Sequence, residues 1–157
     1  MRLRPFVIED IGWCATLAEG LFVALDTGYG AAVARWAVDP TVEGWVAESD
    51  DRPAGFLLLG SLGIVGEGRT RLLEVLALGV EPTSRGKGIG RRLLARALEA
   101  ARADGGVREV RLNVASDNVA ALGLFTQAGF AVDRADDGTF PGGQRAIRMR
   151  WMPRLRS

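Results

Sequence analysis

Residues 80–94 run Val80-Glu-Pro-Thr-Ser-Arg85-Gly-Lys-Gly-Ile-Gly90-Arg-Arg-Leu-Leu94. The apolar run that leads into them, Arg71 to Val80, has the length and composition of a central strand covered on both faces. After them, Leu93, Leu94, Ala97, Leu98 and Ala101 recur at helical spacing, with Arg91, Arg92, Arg96 and Glu99 elsewhere on the wheel, which predicts an amphipathic helix over 88–104. Gly105-Gly106 stop it. Between strand and helix, glycines at 86, 88 and 90 let successive backbone N–H groups turn toward one point. The helix start adds its unpaired donors and the positive end of its dipole. Such a turn is an anion cradle suited to a diphosphate. Arg85 and Lys87 lend charge, and Arg91 or Arg92 can reach a further phosphate.

Other glycine-rich loops fit less well. A Walker loop needs Ser or Thr after its Gly-Lys, and here Gly86-Lys87 is followed by Gly88. A dinucleotide fingerprint fits only part of the spacing. An acid, Glu109, does lie downstream, but it is read as preceding its strand rather than ending one, and the glycines are not in the first strand–helix turn. The plain alternative is a loop with a solvated basic helix start.

Outward from this centre, Leu3 to Ile8 reads as a first strand, and Asp10 as the cap of a helix reaching about Leu25. Gly28 and Gly30 break that helix, and Ala31 to Val38 forms a short second one before Pro40. Trp45 to Glu48 and Gly55 to Ile64 pair as a hairpin around Asp50-Asp51-Arg52-Pro53. Downstream, Val110, Leu112 and Val114 alternate with Arg111 and Asn113 as a strand. Asp117 or Asn118 caps a helix running to Gly129, and Phe130 to Ala135 with Ala146 to Met152 closes the sheet.

Composition narrows the chemistry. A chain of 157 residues, 48% hydrophobic and 25% charged, suits one globular domain spanning 1–157. A net charge of +1 provides no global field toward nucleic acid or an anionic membrane, so neither is expected as a partner. With Cys14 the only cysteine and histidine absent, disulfide frameworks, Cys/His zinc sites and Ser-His or Cys-His machinery are excluded, and no metal is expected. No apolar run approaches the roughly 18 residues needed to span a bilayer, and the expected location is cytoplasmic.

Arg85-x-x-Gly88-x-Gly90 resembles the acetyl-CoA-binding motif of the GNAT N-acetyltransferase superfamily: Gln or Arg, two residues, Gly, one residue, Gly or Ala. Leu78-Gly-Val80-Glu-Pro82 looks like the strand end that precedes that loop. Asn118-x-x-Ala121-x-x-x-Phe125-x-x-x-Gly129-Phe130 resembles the family's second signature, beside the pantetheine arm. The resemblance spans essentially the whole chain. It implies a mixed α/β (α+β) fold, with a mostly antiparallel sheet of about seven strands and four helices, splayed between the fourth and fifth strands. It also implies acetyl-CoA as cosubstrate and direct transfer to a primary amine of a small molecule or peptide, by a monomer or homodimer. The implied cofactor-binding residues are Leu78, Val80, Arg85, Gly86, Lys87, Gly88, Ile89, Gly90, Arg91, Asn118 and Phe125.

Transfer to an amine requires an uncharged nucleophile, a polarised thioester carbonyl and a route for the thiol to leave. Glu74 is the candidate base. Period-2 counting puts it on one face with Leu76, Leu78 and Val80, where apolar surroundings would raise its pKa. Its place is similar to that of the general-base glutamate of the superfamily's histone acetyltransferases. The competing reading pairs it with Arg69 or Arg71. Gly79, inside an apolar strand, signals a bulge or a close backbone approach where the carbonyl would be met.

Phe125 departs from the resemblance, because many members carry there a Tyr aligned with the leaving sulfur. The sole tyrosine, Tyr29, is the substitute acid candidate. The missing hydroxyl also motivates an alternative, a non-catalytic acyl-CoA-binding or sensor module. Transfer to aminoacyl-tRNA is a further alternative, disfavoured by the near-zero charge. Asn113 stands where some ribosomal-protein N-terminal acetyltransferases have a glutamate, and Asn118 is expected to cap its helix and touch the pantetheine. Asp133, Asp136 and Asp137, near the C-terminal hairpin, would favour a cationic acceptor unless they are merely solvated loop acids.

Overall fold

The computed structural model describes residues 1–66, 68 and 70–153. Strand β1 (Arg2–Pro5) and a 3₁₀ turn (Ile8–Asp10) lead into helices α1 (Ile11–Phe22) and α2 (Tyr29–Ala37). Strands β2 (Glu43–Ser49), β3 (Arg52–Val65) and β4 (Thr70–Val80) follow. Then come α3 (Ile89–Asp104), β5 (Val107–Ala115), α4 (Val119–Gln127), β6 (Ala131–Arg134) and β7 (Ala146–Trp151). The seven strands form one sheet in the order β1-β2-β3-β4-β5-β7-β6. Among the described residues only β4 and β5 pair in parallel, and the crossover that such a pair needs is supplied by α3.

Each face of the sheet has its own apolar cluster. On one, α3 packs Ile89, Leu93, Leu94, Ala97 and Leu98 against Leu57, Leu59, Leu73, Val75, Val110 and Leu112, joined by Phe125 of α4. On the other, Cys14 and Ala18 of α1 and Val33 of α2 meet Val46, Phe56, Leu58 and Ala77. That second layer is short. It covers β2 to β4, while beyond it Glu109 and Arg111 of β5 form an ion pair at 2.8 Å, and Asp133 pairs with Arg148 at 2.6 Å.

Several local expectations change. Asp10 is buried and occupies the N-cap position of α1, but its side chain makes no capping bond to that helix. Arg4 grips its carboxylate through two bonds of 2.8 Å, and the Val7 N–H donates to it at 2.8 Å. Burial alone would raise the Asp10 pKa, but those donors outweigh it and hold the carboxyl below its usual value. The β2–β3 hairpin turns on Asp50 and Asp51 alone, at φ +54° and +60°, which leaves Pro53 inside β3. Glu109 lies within β5 opposite Leu72, not ahead of its strand.

The main surprise is a bulge in β4. Leu58 pairs with Ala77 and Leu59 with Val75, so Leu76 is left over and the alternation shifts. Leu73 and Val75 pack toward α3, Leu76 and Ala77 toward α1 and α2, and Leu78 and Val80 toward α3 again. Glu74, two residues before the extra residue, therefore faces the α1–α2 side with Leu76 and not the face of Leu78 and Val80. Gly79 has a packing reason instead: a Cβ there would lie 2.8 Å from Phe56 Cε1 and 3.2 Å from Leu21 Cδ1.

Phe56 is fully buried and has no room to retreat. Gly79→Ala should therefore destabilise the protein by about 1–3 kcal/mol, read from the urea midpoint at unchanged m-value.

Candidate active site

The parallel ladder between β4 and β5 is brief. It runs through Arg71–Val107, Leu72–Glu109 and Leu73–Val110, and ends at Glu74–Arg111. Beyond it β4 stays with β3 as far as Val80–Gly55, while β5 stays with β7 as far as Ala115–Ala146. The sheet thus opens into a V. The opening is the floor of a cleft of about 770 Å³ lined by Val75 to Leu78 and Val80 on one side and Leu112 to Ala115 on the other.

One end of the cleft is the glycine loop. Ser84, Arg85, Gly86, Gly88, Ile89, Gly90 and Arg91 line it. Gly86 and Gly88 have φ of +80° and +79°, a conformation costly for any residue with a Cβ, and a Cβ at either would project into open space. Gly88 is the N-cap of α3, so the first free N–H groups of a 16-residue helix face the same opening. Gly90 is helical, and its missing Cβ gives room to Leu124 of α4, 3.4 Å away. The side chain of Ile89 is buried and anchors the turn. These are the features of a diphosphate cradle.

Of the binding residues expected from the sequence, Leu78, Val80, Arg85, Gly86, Gly88, Ile89, Gly90, Arg91, Asn118 and Phe125 all line this cleft. Lys87 does not. It lines a separate hollow of about 740 Å³ with Trp13, Asp50, Arg52 and Glu81. In the alternating turn it points away from its neighbours, so at most its backbone N–H serves the cradle. Asn118 is the α4 cap, accepting the Ala121 N–H at 3.1 Å. Phe125 is buried, edge-on to Phe130 at 5.8 Å.

The other end lies under α1 and α2, lined by Leu21, Phe22, Ala24, Leu25, Tyr29, Phe140 and Gln144. None of these side chains is charged. Tyr29 is stacked at a tilt on Phe22, with ring centroids 5.1 Å apart. Burial raises its phenol pKa, as do the charges of Asp26 and Glu74, so it is protonated at neutral pH. Glu74, half-buried, is near enough for its charge to act on Tyr29 but is not among the residues that line the cleft. Burial pushes its carboxyl above the ordinary glutamate value, and the Arg111 guanidinium on the neighbouring strand partly opposes that. Arg71 pairs with Asp104 rather than with Glu74, and Arg69 lies outside the described residues.

The three acids expected to greet a cationic acceptor are otherwise engaged. Asp133 pairs with Arg148 and lies 3.8 Å from Arg150. Asp137 accepts from Asn113 Nδ2 at 3.2 Å and faces Arg134 at 3.7 Å, and Asp136 accepts the Gly138 N–H at 3.3 Å. Gln144 and Phe140, which the sequence reading missed, form part of the wall instead. Their only signal was Pro141-Gly-Gly143, a turn between two strand-like stretches.

Residues 9–130, which include the glycine loop and both edges of the V-shaped opening, match the Acetyltransferase (GNAT) family. The chain belongs to the GNAT family. It is an acetyl-CoA-dependent N-acetyltransferase. The N-alpha-acetyltransferase RimI of Mycobacterium tuberculosis is 43% identical over 123 residues, covering 77% of this chain and 72% of that one. The mycothiol acetyltransferase of Kineococcus radiotolerans is 32% identical, over 92% of this chain but only 47% of its own length. Arabidopsis thaliana NAA60, solved in complex with acetyl-CoA, superposes with a TM-score of 0.81 at 17% identity, over 96% of this GNAT chain and 97% of that one. Among the described residues no helix is long and apolar enough to cross a membrane.

Two substitutions separate the cradle from its surroundings. Gly88→Asp puts a carboxylate into the diphosphate position and should abolish acetyl-CoA binding in a folded protein. Lys87→Ala should change the affinity by less than about tenfold, since only a backbone group of Lys87 is within reach. Calorimetric titration measures both.

Proposed function

We propose that this enzyme transfers the acetyl group of acetyl-CoA to the α-amine of a peptide or protein N-terminus. The supporting observation is the uncharged chamber at the end of the cleft away from the glycine loop, with a single desolvated carboxylate near it. An α-amine has a reference pKa of about 7.7–8.0, against about 10.4 for a lysine amine. It needs only a modest base and no acidic pocket to hold a cation. The name of the mycobacterial relative points the same way. Relatives named for mycothiol support a second reading, a small-molecule amine, although the aligned part is less than half of the Kineococcus protein.

Acetyl-CoA supplies an activated thioester. Gly86, Gly88 and the α3 N-terminus hold its diphosphate, with Arg85 and Arg91 adding charge. The free edges of β4 at Leu78 and Val80 and of β5 align the arm that leads from it, and Asn118 borders that arm. The V carries the acyl end through the sheet from the α3 side to the α1–α2 side. There Glu74, set back from the cleft wall, takes a proton from the incoming amine through a water and passes it to solvent along the polar stripe of Arg111 and Asn113. Phe125 cannot donate a proton to the departing sulfur. Tyr29 is the phenol on the cleft wall, protonated and on the acceptor side, and the thiolate takes its proton from Tyr29 or from water.

The first test is calorimetric titration with acetyl-CoA beside NADH and ATP, followed by thiol release with free and N-terminally blocked peptides. Binding of acetyl-CoA alone, and release only with free N-termini, is the expected result. Binding without release over peptides and small amines would leave a sensor. The pH profile tests Glu74 separately. A raised carboxyl pKa means activity is lost as pH falls, with an acidic limb in kcat/KM above the ordinary value of about 4.3. Glu74→Gln should remove that limb and lower kcat by ~10²–10⁴.

A further inference from the structure

Helix α2 begins without a cap of its own. Its N-cap residue is Gly28, at φ +102°, which has no side chain to bond the first free N–H groups of the helix. The acceptor comes instead from α1. Glu19 Oε1 accepts the Gly28 N–H at 3.3 Å, and Glu19 Oε2 accepts the Gly30 N–H at 2.8 Å. One carboxylate thus caps α2 from the neighbouring helix, at the positive end of its dipole, where negative charge is favoured.

Gly30 has its explanation in the same contact. Its φ lies outside the left-handed region, so the backbone conformation does not call for a glycine. A Cβ there would lie 2.9 Å from the Ala15 carbonyl oxygen and 3.1 Å from Glu19 Oε2 itself. The missing Cβ lets the first turn of α2 come close enough to α1 for the short bond to form. Between the two clamped amides is Tyr29, whose ring lies tilted on Phe22 with centroids 5.1 Å apart. Phe22 follows Glu19 by three residues, so the two are neighbours on one side of α1. That strip of α1 holds the backbone on both sides of Tyr29 and also its ring, at the wall of the cleft.

We infer that Glu19 is a positioning residue for the reaction: through the Gly28 and Gly30 amides it fixes Tyr29 at the cleft wall, in place to protonate the departing thiol. The inference rests on the reading of Tyr29 as a proton donor and deepens it. In that step the Tyr29 O–H bond breaks, its proton goes to the coenzyme A thiolate to give the free thiol, and the phenolate regains a proton from solvent. A donor on the first residue of a helix moves with the fraying of that helix end, and a misplacement of about 1 Å can cost ~10²-fold in rate. Glu19 is not among the residues that line the cleft, so it reaches the reaction only through Tyr29.

Glu19→Ala removes both acceptors, whereas Glu19→Gln keeps one oxygen for one of the two amides. Acetyl-CoA affinity and circular dichroism check that each variant is folded. Thiol release with a short peptide carrying a free N-terminus gives kcat for the unaltered enzyme, Glu19→Ala, Tyr29→Phe and the double variant, which together form a cycle. Glu19→Ala and Tyr29→Phe should each lower kcat by about tenfold or more, Glu19→Gln by less, and the double variant should be no slower than Tyr29→Phe. Tyr29 is the only tyrosine, so ring-labelled tyrosine gives one set of NMR signals and reads the clamp without reference to activity. Its Overhauser contact with the Phe22 ring should be present in the unaltered enzyme and lost in Glu19→Ala. The inference is overturned by a Glu19→Ala enzyme that keeps its kcat while Tyr29→Phe is slow, by losses that multiply in the double variant, or by an Overhauser contact that survives without Glu19. If the peptide is not acetylated at all, the α-amine reading is at fault, and if Tyr29→Phe alone leaves kcat unchanged, the donor reading is; in both cases the Overhauser contact alone judges the clamp.

Discussion

Everything functional here depends on where the β4–β5 ladder stops. Along its length β4 is committed to β3, and β5 is committed to β7. The two halves of the sheet share only the pairs from Arg71–Val107 to Glu74–Arg111. Past that point, facing backbone donors and acceptors cannot be left unpaired in a buried place without cost, so the opening needs water or a ligand with amide groups of its own. The bulge at Leu76 falls at the point of divergence, and an extra residue there bends β4 away from β5. The glycine loop then starts where β4 ends, so the anion cradle and the slot it feeds are consecutive in the chain.

The same bulge decides which side of the sheet each group serves. Leu78 and Val80 return to the α3 face, where the cradle is, and Glu74 is left on the α1–α2 face, near the uncharged chamber. A slot through the sheet can connect the two only because the ladder between them is open. Glu74 also sits at the border between an apolar cluster and the polar residues of β5 and β7. That position raises its pKa by burial and, in the proposed reaction, leaves a polar route for its proton. A glutamate buried on all sides would have the first property without the second.

What could be read from the sequence was what is local. The strand, glycine loop and amphipathic helix follow from periodicity and glycine spacing within one short stretch, and the structure has β4, the cradle and α3 in those places. The Asn118 cap was visible for the same reason. Errors came where a long-range partner decided the outcome. Asp10 looked like a cap, but Arg4 from β1 claims its carboxylate. Period-2 counting through β4 failed because a bulge depends on the register with β3. Lys87 shares the charge and position of its neighbours in the sequence but points out of an alternating turn. Gly30 looked like a helix breaker, and only the Ala15 carbonyl shows why a methyl group is excluded there.

The Phe125 departure bears on the acceptor more than on whether there is catalysis. A cysteine-like thiol has a pKa near 8.5, so a thiolate leaving at neutral pH is only modestly disfavoured, and a fixed acid speeds its departure without being indispensable. The nucleophile is the stricter demand. A lysine amine at pH 7 is neutral in only about one molecule in 2,500, whereas an α-amine is neutral in roughly one in eight, a difference of about 3.4 kcal/mol in favour of the second. A single half-buried glutamate, partly offset by Arg111 and with no acidic wall to gather a cation, suits the smaller task. On the proposed α-amine reading, this modest equipment is matched to an amine that is already partly neutral in water. The uncharged chamber completes the match, because a neutral amine entering it leaves no cation stranded away from solvent.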